Sequence, residues 1–319
     1  MESTIPMNMR NNTADLQGND MKQKESIFLT IGYNLRGLLS ILLLYTNTLV
    51  LFTPLMAAAF LKLLVPISGW RKFCGVVING IAVTWITINN LNLSWTQRTK
   101  WDVRGLEGLS LNEWYMVISN HQTWVDIVVL QRVFNRKIPF LKFFLKKELI
   151  WVPFLGVAWW ALDYPFMKRY SPSFLKKNPH LKGKDIEITR KACRKFKGIP
   201  VSIMNFVEGT RFTKEKHDQQ KSPFKHLLKP KAGGVGFVLS TMGEQLNSIL
   251  NVTIVYPDGD TSFWHFICGR IKEIRVIIEK MPVTPDLLGD YVEDRVFQNW
   301  FQNWLNGIWT KKDKLLDEQ

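Results

Sequence analysis

A histidine and an aspartate five positions apart give the first hint of chemistry, in Asn120-His121-Gln122-Thr123-Trp124-Val125-Asp126. On one straight helix this spacing would rotate the two side chains about 140° away from each other. They meet only if His121 lies in a strand-to-helix turn and Asp126 reaches back from the first helical turn, where the helix dipole also favours a carboxylate. A carboxylate on one imidazole nitrogen fixes the tautomer and leaves the other nitrogen free to take a proton. No serine or cysteine has a comparable partner, so His121 would activate a hydroxyl of the substrate and not a protein nucleophile. The spacing is common, and by itself it equally describes a capped turn.

Further groups of residues could hold an anion. In Glu208-Gly209-Thr210-Arg211 the glycine permits a tight turn, its neighbours expose N–H groups, and the arginine can grip a phosphate through two nitrogens. Phe166-Met167-Lys168-Arg169 follows the aromatic stretch 157–166, and Lys231-Ala232-Gly233-Gly234 is a basic, glycine-rich turn. Val252-Thr253-Ile254-Val255-Tyr256-Pro257 reads as a core strand with function only at its proline-terminated end. Each of these has an ordinary reading too: a turn, a basic surface pair, a loop.

The elements that must position these residues follow from hydrophobic period. Runs at 114–119, 201–207, 252–256 and 274–278 are β-branched or aromatic-rich and predict strands. Between them lie helical patterns, one over 184–196 and one near the end, where Phe297, Trp300, Phe301, Trp304 and Ile308 recur at helical steps. Strands alternating with helices predict an α/β domain, a mixed or parallel sheet flanked by helices. Three of the charged groups sit just past a strand's C-terminal end, where open α/β sheets gather their sites.

Upstream, residues 1–26 are polar and read as a loosely ordered tail. Residues 27–97 contain two uncharged stretches of 25 residues, 37–61 and 73–97, each long enough to cross a bilayer. The second carries Asn79, Asn89, Asn90 and Asn92, each of which needs a partner in hydrocarbon. Lys62, Arg71 and Lys72 lie between the stretches with no acid beside them, which argues against placing that loop on the far side of the membrane. A hairpin dipping into one leaflet, with 98–319 as the catalytic domain on the same side, avoids the conflict.

Charge and composition narrow the class. The chain has 46% hydrophobic residues, ample for a core, and a formal charge of +15. Residues 131–232 hold 24 Lys/Arg against 7 Asp/Glu, a net of +17, so the rest of the chain sums to −2. Cys74, Cys193 and Cys268 are far apart, and the five histidines show no metal-binding spacing, so no metal is expected. Nucleotide-binding and serine-hydrolase glycine motifs are absent. No nucleic-acid-binding motif accompanies the basic block, so no nucleic-acid partner is expected.

Taken in order, NHQTWVD, FMKR, EGTR and VTIVYP resemble the four sequence blocks of the glycerolipid acyltransferases, the family of the 1-acylglycerol-3-phosphate (lysophosphatidic acid) acyltransferases. The resemblance covers roughly 101–278 and the N-terminal hairpin. The EGTRFTKEKH stretch and the basic insert look closest to a bacterial YihG-like subgroup, which implies the inner membrane with the catalytic domain on its cytoplasmic face, although similar EGTRFT extensions occur in eukaryotic lysophospholipid acyltransferases. By this resemblance His121 is the base and Asp126 its orienting acid. Arg169, Glu208, Gly209, Thr210 and Arg211, with Lys231, hold the acceptor's phosphate, while Asn120, Phe166 and Pro257 support the motifs. The family's fourth block often begins Val-Pro, where this chain has Val252-Thr253.

The implied reaction is acyl transfer from acyl-CoA or acyl carrier protein, a substrate and not a cofactor, to the sn-2 hydroxyl of a lysophospholipid. Lysophosphatidic acid is the first acceptor. The oxyanion's N–H donors would come from the turns at 120–123 or 208–211. Another lysophospholipid in acyl remodelling, or a non-catalytic scaffold on anionic lipid, are the alternatives. The remaining lysines, Lys176, Lys177, Lys182 and Lys184 among them, would face anionic head groups.

Overall fold

The computed structural model describes residues 7–167 and 198–318, together with Glu187, Arg190, Lys191, Cys193, Arg194 and Phe196; for 7–26 and Met167 it describes backbone alone. The helix expected at 184–196 therefore lies largely outside the described residues, as do Lys168, Arg169, Lys176, Lys177, Lys182 and Lys184.

A sheet strand covered on both faces needs an unbroken apolar run. That is the pattern of β2 (Tyr115–Ser119, YMVIS), buried at every position. The same holds for β7 (Ser248–Val255). These two form the middle of a six-stranded sheet with β1 (Lys100–Arg104), β3 (Leu141–Phe143), β6 (Ser202–Phe206) and β8 (Glu273–Pro282), in the order β1-β8-β7-β2-β6-β3. β7, β2, β6 and β3 are mutually parallel. β8 runs antiparallel to β7, and β1 lies parallel to β8 at the edge. A short separate ladder joins β4 (Leu145–Lys146) to β5 (Phe166–Met167).

Helices cover both faces. α3 (Val125–Phe134) follows β2 and buries Val125, Val129, Leu130 and Val133. It is followed by α4 (Leu155–Ala161), α5 (Lys214–Gln220), α6 (Gly233–Met242) and α7 (Phe263–Cys268). The terminal helix α8 (Arg295–Asp317) starts at Asp294, whose carboxylate accepts from the N–H groups of Val296 and Phe297, a side-chain cap. Its buried stripe is Phe301, Leu305, Ile308, Trp309 and Lys312.

The N-terminal part is a helical hairpin. α1 (Met7–Leu64) is continuous in backbone, so the boundary expected near residue 26 falls inside a helix; proline, the strongest helix breaker, is met within it only at Pro54. α2 is Ser68–Thr96. Ile27–Leu64 and Ser68–Thr96 are each long and apolar enough to cross a membrane. Three of the asparagines that hydropathy penalises, Asn79, Asn89 and Asn92, have side-chain partners. Asn47 Nδ2 donates to Asn89 Oδ1 (2.6 Å) and to Trp85 O (3.0 Å), and Asn92 Nδ2 donates to Ser40 O (3.0 Å). Asn79 Oδ1 accepts from Lys142 Nζ (3.2 Å), and the backbone carbonyl of Asn90 accepts from Arg132 (3.1 Å). Lys62, unbalanced in the local sequence, meets Asp163 of the α/β domain at 2.7 Å.

Candidate active site

β2 ends at Ser119, and the chain turns through residues 120–124 into α3. This turn lets Asp126 reach back, and His121 Nδ1 lies 2.8 Å from Asp126 Oδ2. Asp126 is fully buried. Its Oδ2 also accepts the N–H groups of Gln122 (2.6 Å) and Thr123 (2.9 Å), and its Oδ1 accepts the hydroxyl of Tyr256 (2.7 Å). A carboxylate surrounded by donors acts as acceptor only, so Nδ1 carries the hydrogen between them and Nε2 keeps its lone pair. Burial, reinforced by the Asp126 charge, holds the Tyr256 phenol well above its ordinary pKa, so it stays a donor.

The imidazole stacks on Phe206 at 3.9 Å between ring centroids, with planes 13° apart, and Phe143 backs Phe206. The side chain of His121 remains 13% exposed, enough for a substrate atom to approach. Asn120 is buried and ties the strand ends together: its Nδ2 donates to Ile254 O and its Oδ1 accepts from the Ile254 N–H, both at 2.9 Å. Thr123 Oγ1 donates to Thr261 O at 2.6 Å.

The EGTR turn lies against this junction. Gly209 takes φ of +71°, a conformation strained for other residues, and the Phe212 N–H donates to His121 O (2.7 Å). The sequence places Glu208 with the phosphate-holding groups; the structure gives its carboxylate another task. Glu208 is fully buried, Oε1 accepts the His121 N–H and Oε2 the Leu228 N–H, both at 2.9 Å. It fixes two turns and has no oxygen facing solvent. Burial raises its pKa to about 7, against the opposing pull of those N–H groups.

Arg211 stacks over the exposed ring of Trp124 at 4.6 Å, which brings its guanidinium beside the turn. Thr210 Oγ1 accepts from Lys216 Nζ (2.9 Å), which also donates to Arg211 O (3.0 Å). Lys231 is exposed, its N–H bonded to Val207 O (2.7 Å) at the end of β6. Pro257 is exposed immediately after Tyr256. Phe166 is half-buried in β5, and Arg169 lies outside the described residues.

One expectation is corrected. The turn at 120–123 was a candidate source of oxyanion donors, but its N–H groups at His121, Gln122 and Thr123 are already engaged by Glu208 and Asp126. In the other turn Gly209 N–H donates to Phe206 O, which leaves the N–H groups of Thr210 and Arg211. Among the described residues no three His, Cys, Asp or Glu side chains converge as metal ligands.

Sequence reasoning missed Tyr256, Phe206 and Trp124. Tyr256 alone left a trace, since the end of its strand was singled out without a role for the phenol.

Residues 100–256 match the family model described as Acyltransferase. An uncharacterized acyltransferase of Saccharomyces cerevisiae is 23% identical over 237 residues, covering 64% of this chain and 58% of that protein. The match thus spans less than two thirds of the relative's length. The crystal structure of the 1-acyl-sn-glycerophosphate (LPA) acyltransferase PlsC from Thermotoga maritima overlays on 88% of this chain and 98% of its own, at 18% identity and a TM-score of 0.45. The match to the Acyltransferase family model runs from β1 to the residue after β7 and contains His121, Asp126, Glu208, Arg211 and Tyr256, so the segment that carries the site is the one that is similar to this family.

Proposed function

We propose that this chain moves a fatty acyl group from a thioester, acyl-CoA or acyl carrier protein, to the sn-2 hydroxyl of a lysophospholipid, with 1-acylglycerol-3-phosphate as acceptor and phosphatidic acid as product. One observation carries the reading: the His121 imidazole is oriented by a buried, donor-saturated Asp126. Among the described residues no serine or cysteine hydrogen-bonds to that ring, and Cys74, Cys193 and Cys268 are buried. A base with no protein nucleophile serves a substrate hydroxyl directly.

In this mechanism the acceptor oxygen attacks the thioester carbonyl as His121 Nε2 takes its proton. Asp126 stabilises the imidazolium. The tetrahedral intermediate collapses, the C–S bond breaks, and the proton passes from Nε2 to the departing thiolate. The N–H groups of Thr210 and Arg211 are the donors for the oxyanion. Arg211, with Lys231 and Arg169, holds the acceptor phosphate and so places the hydroxyl; such positioning supplies about 7–11 kcal/mol at best.

The hairpin brings this chemistry to the membrane by lying in one leaflet. α1 touches the α/β domain from Asn34, which accepts from Arg270, through Phe52 against Phe154, to Lys62 on Asp163. The 28 steps from Asn34 to Lys62 span about 42 Å of helix, longer than the roughly 30 Å hydrocarbon core. A helix crossing the bilayer could not keep such contacts with a domain in water. The outward side chains, among them Leu38, Leu42, Val50 and Phe60, then meet lipid, and the basic block faces anionic head groups.

The test is thiol release from acyl-CoA and acyl carrier protein with a panel of acceptors: lysophosphatidic acid, lysophosphatidylinositol, lysophosphatidylglycerol and glycerol 3-phosphate. Release that depends on lysophosphatidic acid and yields phosphatidic acid is expected. Release with none of them would overturn the reading, and preference for another acceptor would correct the substrate.

A further inference from the structure

Residues 147–161 leave the α/β domain and expose aromatic side chains that the mechanism above does not use. Trp151 ends a short helical turn, Lys147–Trp151, and is 85% exposed. Phe154, Val157 and Trp160 follow it at three-residue steps, and all three are exposed. The opposite side of α4 consists of small residues, Gly156, Ala158 and Ala161, which are buried. The segment therefore lies close on the domain and turns its bulky side chains away from it. A contiguous exposed apolar patch of this kind marks an interaction surface.

The conformation is tightly specified. The Gly156 N–H donates to Val152 O (2.8 Å), and a Cβ on Gly156 would overlap Ile150 O, so the turn and α4 approach too closely for a larger residue. Phe154 takes φ of +61°, a strained value for a bulky side chain, which persists only where the surroundings enforce it.

Its neighbours indicate what covers the patch. It continues the outward face of α1: Phe154 packs edge-on against Phe52 (5.2 Å between centroids, 87° between planes), and Lys62 of α1 pairs with Asp163 just past α4. Lys146 and Lys147, both exposed, stand where the segment leaves the domain. Such lysines keep their ammonium groups at head-group level while their stems lie along apolar surface. An apolar tip on a basic base fits a bilayer, and tryptophan is enriched at that boundary. The segment also starts and ends beside the site. Phe143, two residues before β4, backs Phe206, on which His121 stacks. The Leu145 N–H donates to Pro165 O (3.0 Å), so β4 and β5 close the excursion at its base.

We propose that 147–161 is a third membrane-inserting element, separate in sequence from the hairpin. Trp151, Phe154, Val157 and Trp160 enter the same leaflet as α1 and hold the mouth of the site against the lipid that supplies its acceptor. This rests on the acyl-transfer reading and on the placing of the hairpin in one leaflet.

The experiment uses the full-length protein, carrying a bimane fluorophore, in vesicles of phosphatidylethanolamine and phosphatidylglycerol. Cys74, Cys193 and Cys268 are buried, so an added cysteine takes the label, and wild-type protein gives the background. Trp151→Cys reports on the segment, Phe60→Cys on the hairpin, and Glu244→Cys, exposed just before β7, on the domain in water. Lipids with a nitroxide on the acyl chain should quench the label at 151 about as strongly as the label at 60, and leave the label at 244 bright. An unquenched 151 beside a quenched 60 would overturn the proposal and leave the hairpin reading standing. Labels unquenched at both positions would overturn the hairpin reading and the proposal with it. A label at 151 that is shielded from water, unquenched by lipid and carried by a dimer would assign the patch to a second copy and overturn the proposal. Should Trp151→Cys fail to fold, Trp160→Cys carries the label with the same outcomes.

Activity gives the second readout. Trp151→Glu combined with Trp160→Glu should raise KM for vesicle-borne lysophosphatidic acid about tenfold, since carboxylates resist entry into hydrocarbon. Its kcat on the detergent-dispersed acceptor should match wild type. An unchanged vesicle KM in the folded double variant contradicts the proposal. A wild-type protein without acceptor-dependent release fails the acyl-transfer reading, and quenching still decides whether the segment inserts.

Discussion

The hydroxyl of Tyr256 donates to Asp126 Oδ1 at 2.7 Å, and the remaining donors, His121 Nδ1 and the N–H groups of Gln122 and Thr123, converge on Oδ2. The carboxylate is thus pinned from both sides, by β7 on one and by the strand-to-helix turn on the other. It cannot rotate without breaking bonds to a neighbouring strand, and the imidazole it orients inherits that rigidity.

Tyr256→Phe removes the β7 anchor and leaves a buried carboxylate oxygen unsatisfied. Hydrogen bonds to charged groups are worth about 1.5–3 kcal/mol, so the unfolding free energy should drop by about that amount. Turnover should fall roughly tenfold with KM little changed, since the loss is in orientation of the base and not in substrate contacts. Steady-state kinetics and denaturant unfolding check both.

Stability should pass through a minimum near pH 7. The Glu208 pKa rises from 4.5 to about 7 on folding, chiefly by burial, so its contribution is complete below 4.5 and is lost as pH climbs through about 7. Lys142, buried with its Nζ on Leu162 O (2.5 Å), shifts from 10.5 down to about 7, again by burial. Its contribution is present above 10.5 and is lost as pH falls through about 7, and Lys312 acts in the same direction. Unfolding midpoints in detergent across this range should show both limbs. Glu208→Gln should flatten the acid limb and Lys142→Met part of the alkaline one.

Trp124 supports the Arg211 guanidinium from one face at 4.6 Å. An exposed cation–π contact is worth about 0.5–1 kcal/mol, so Trp124→Ala should raise KM for lysophosphatidic acid roughly two- to fivefold. KM for acyl-CoA should stay near its wild-type value. Kinetics with each substrate varied in turn make the distinction.

Local pattern made much of this legible. The apolar run of β2, the buried β7 and the His121–Asp126 reach-back all follow from period and spacing, and the structure has them in place. What local pattern does not encode is pairing at long range. Tyr256 and Asp126 are 130 positions apart, and only the parallel register of β2 with β7 brings them together. Glu208 reads as part of a phosphate-holding turn until Leu228 and the His121 backbone are seen to enclose it. The stripe of Phe301, Leu305 and Ile308 marks α8 as amphipathic, yet nothing in it shows that Lys312 turns inward with the apolar side chains. Asn89 and Asn92 weaken the hydropathy of α2 only until α1 provides Asn47 and Ser40 as partners.

The role of His121 as base is tested most directly by His121→Ala, assayed for lysophosphatidic acid-dependent thiol release from acyl-CoA. Loss of a general base typically costs about 10²–10⁴ in rate, so release should fall to background while the folded variant remains in the membrane fraction. Near-wild-type turnover by that folded, membrane-bound variant would contradict the assignment.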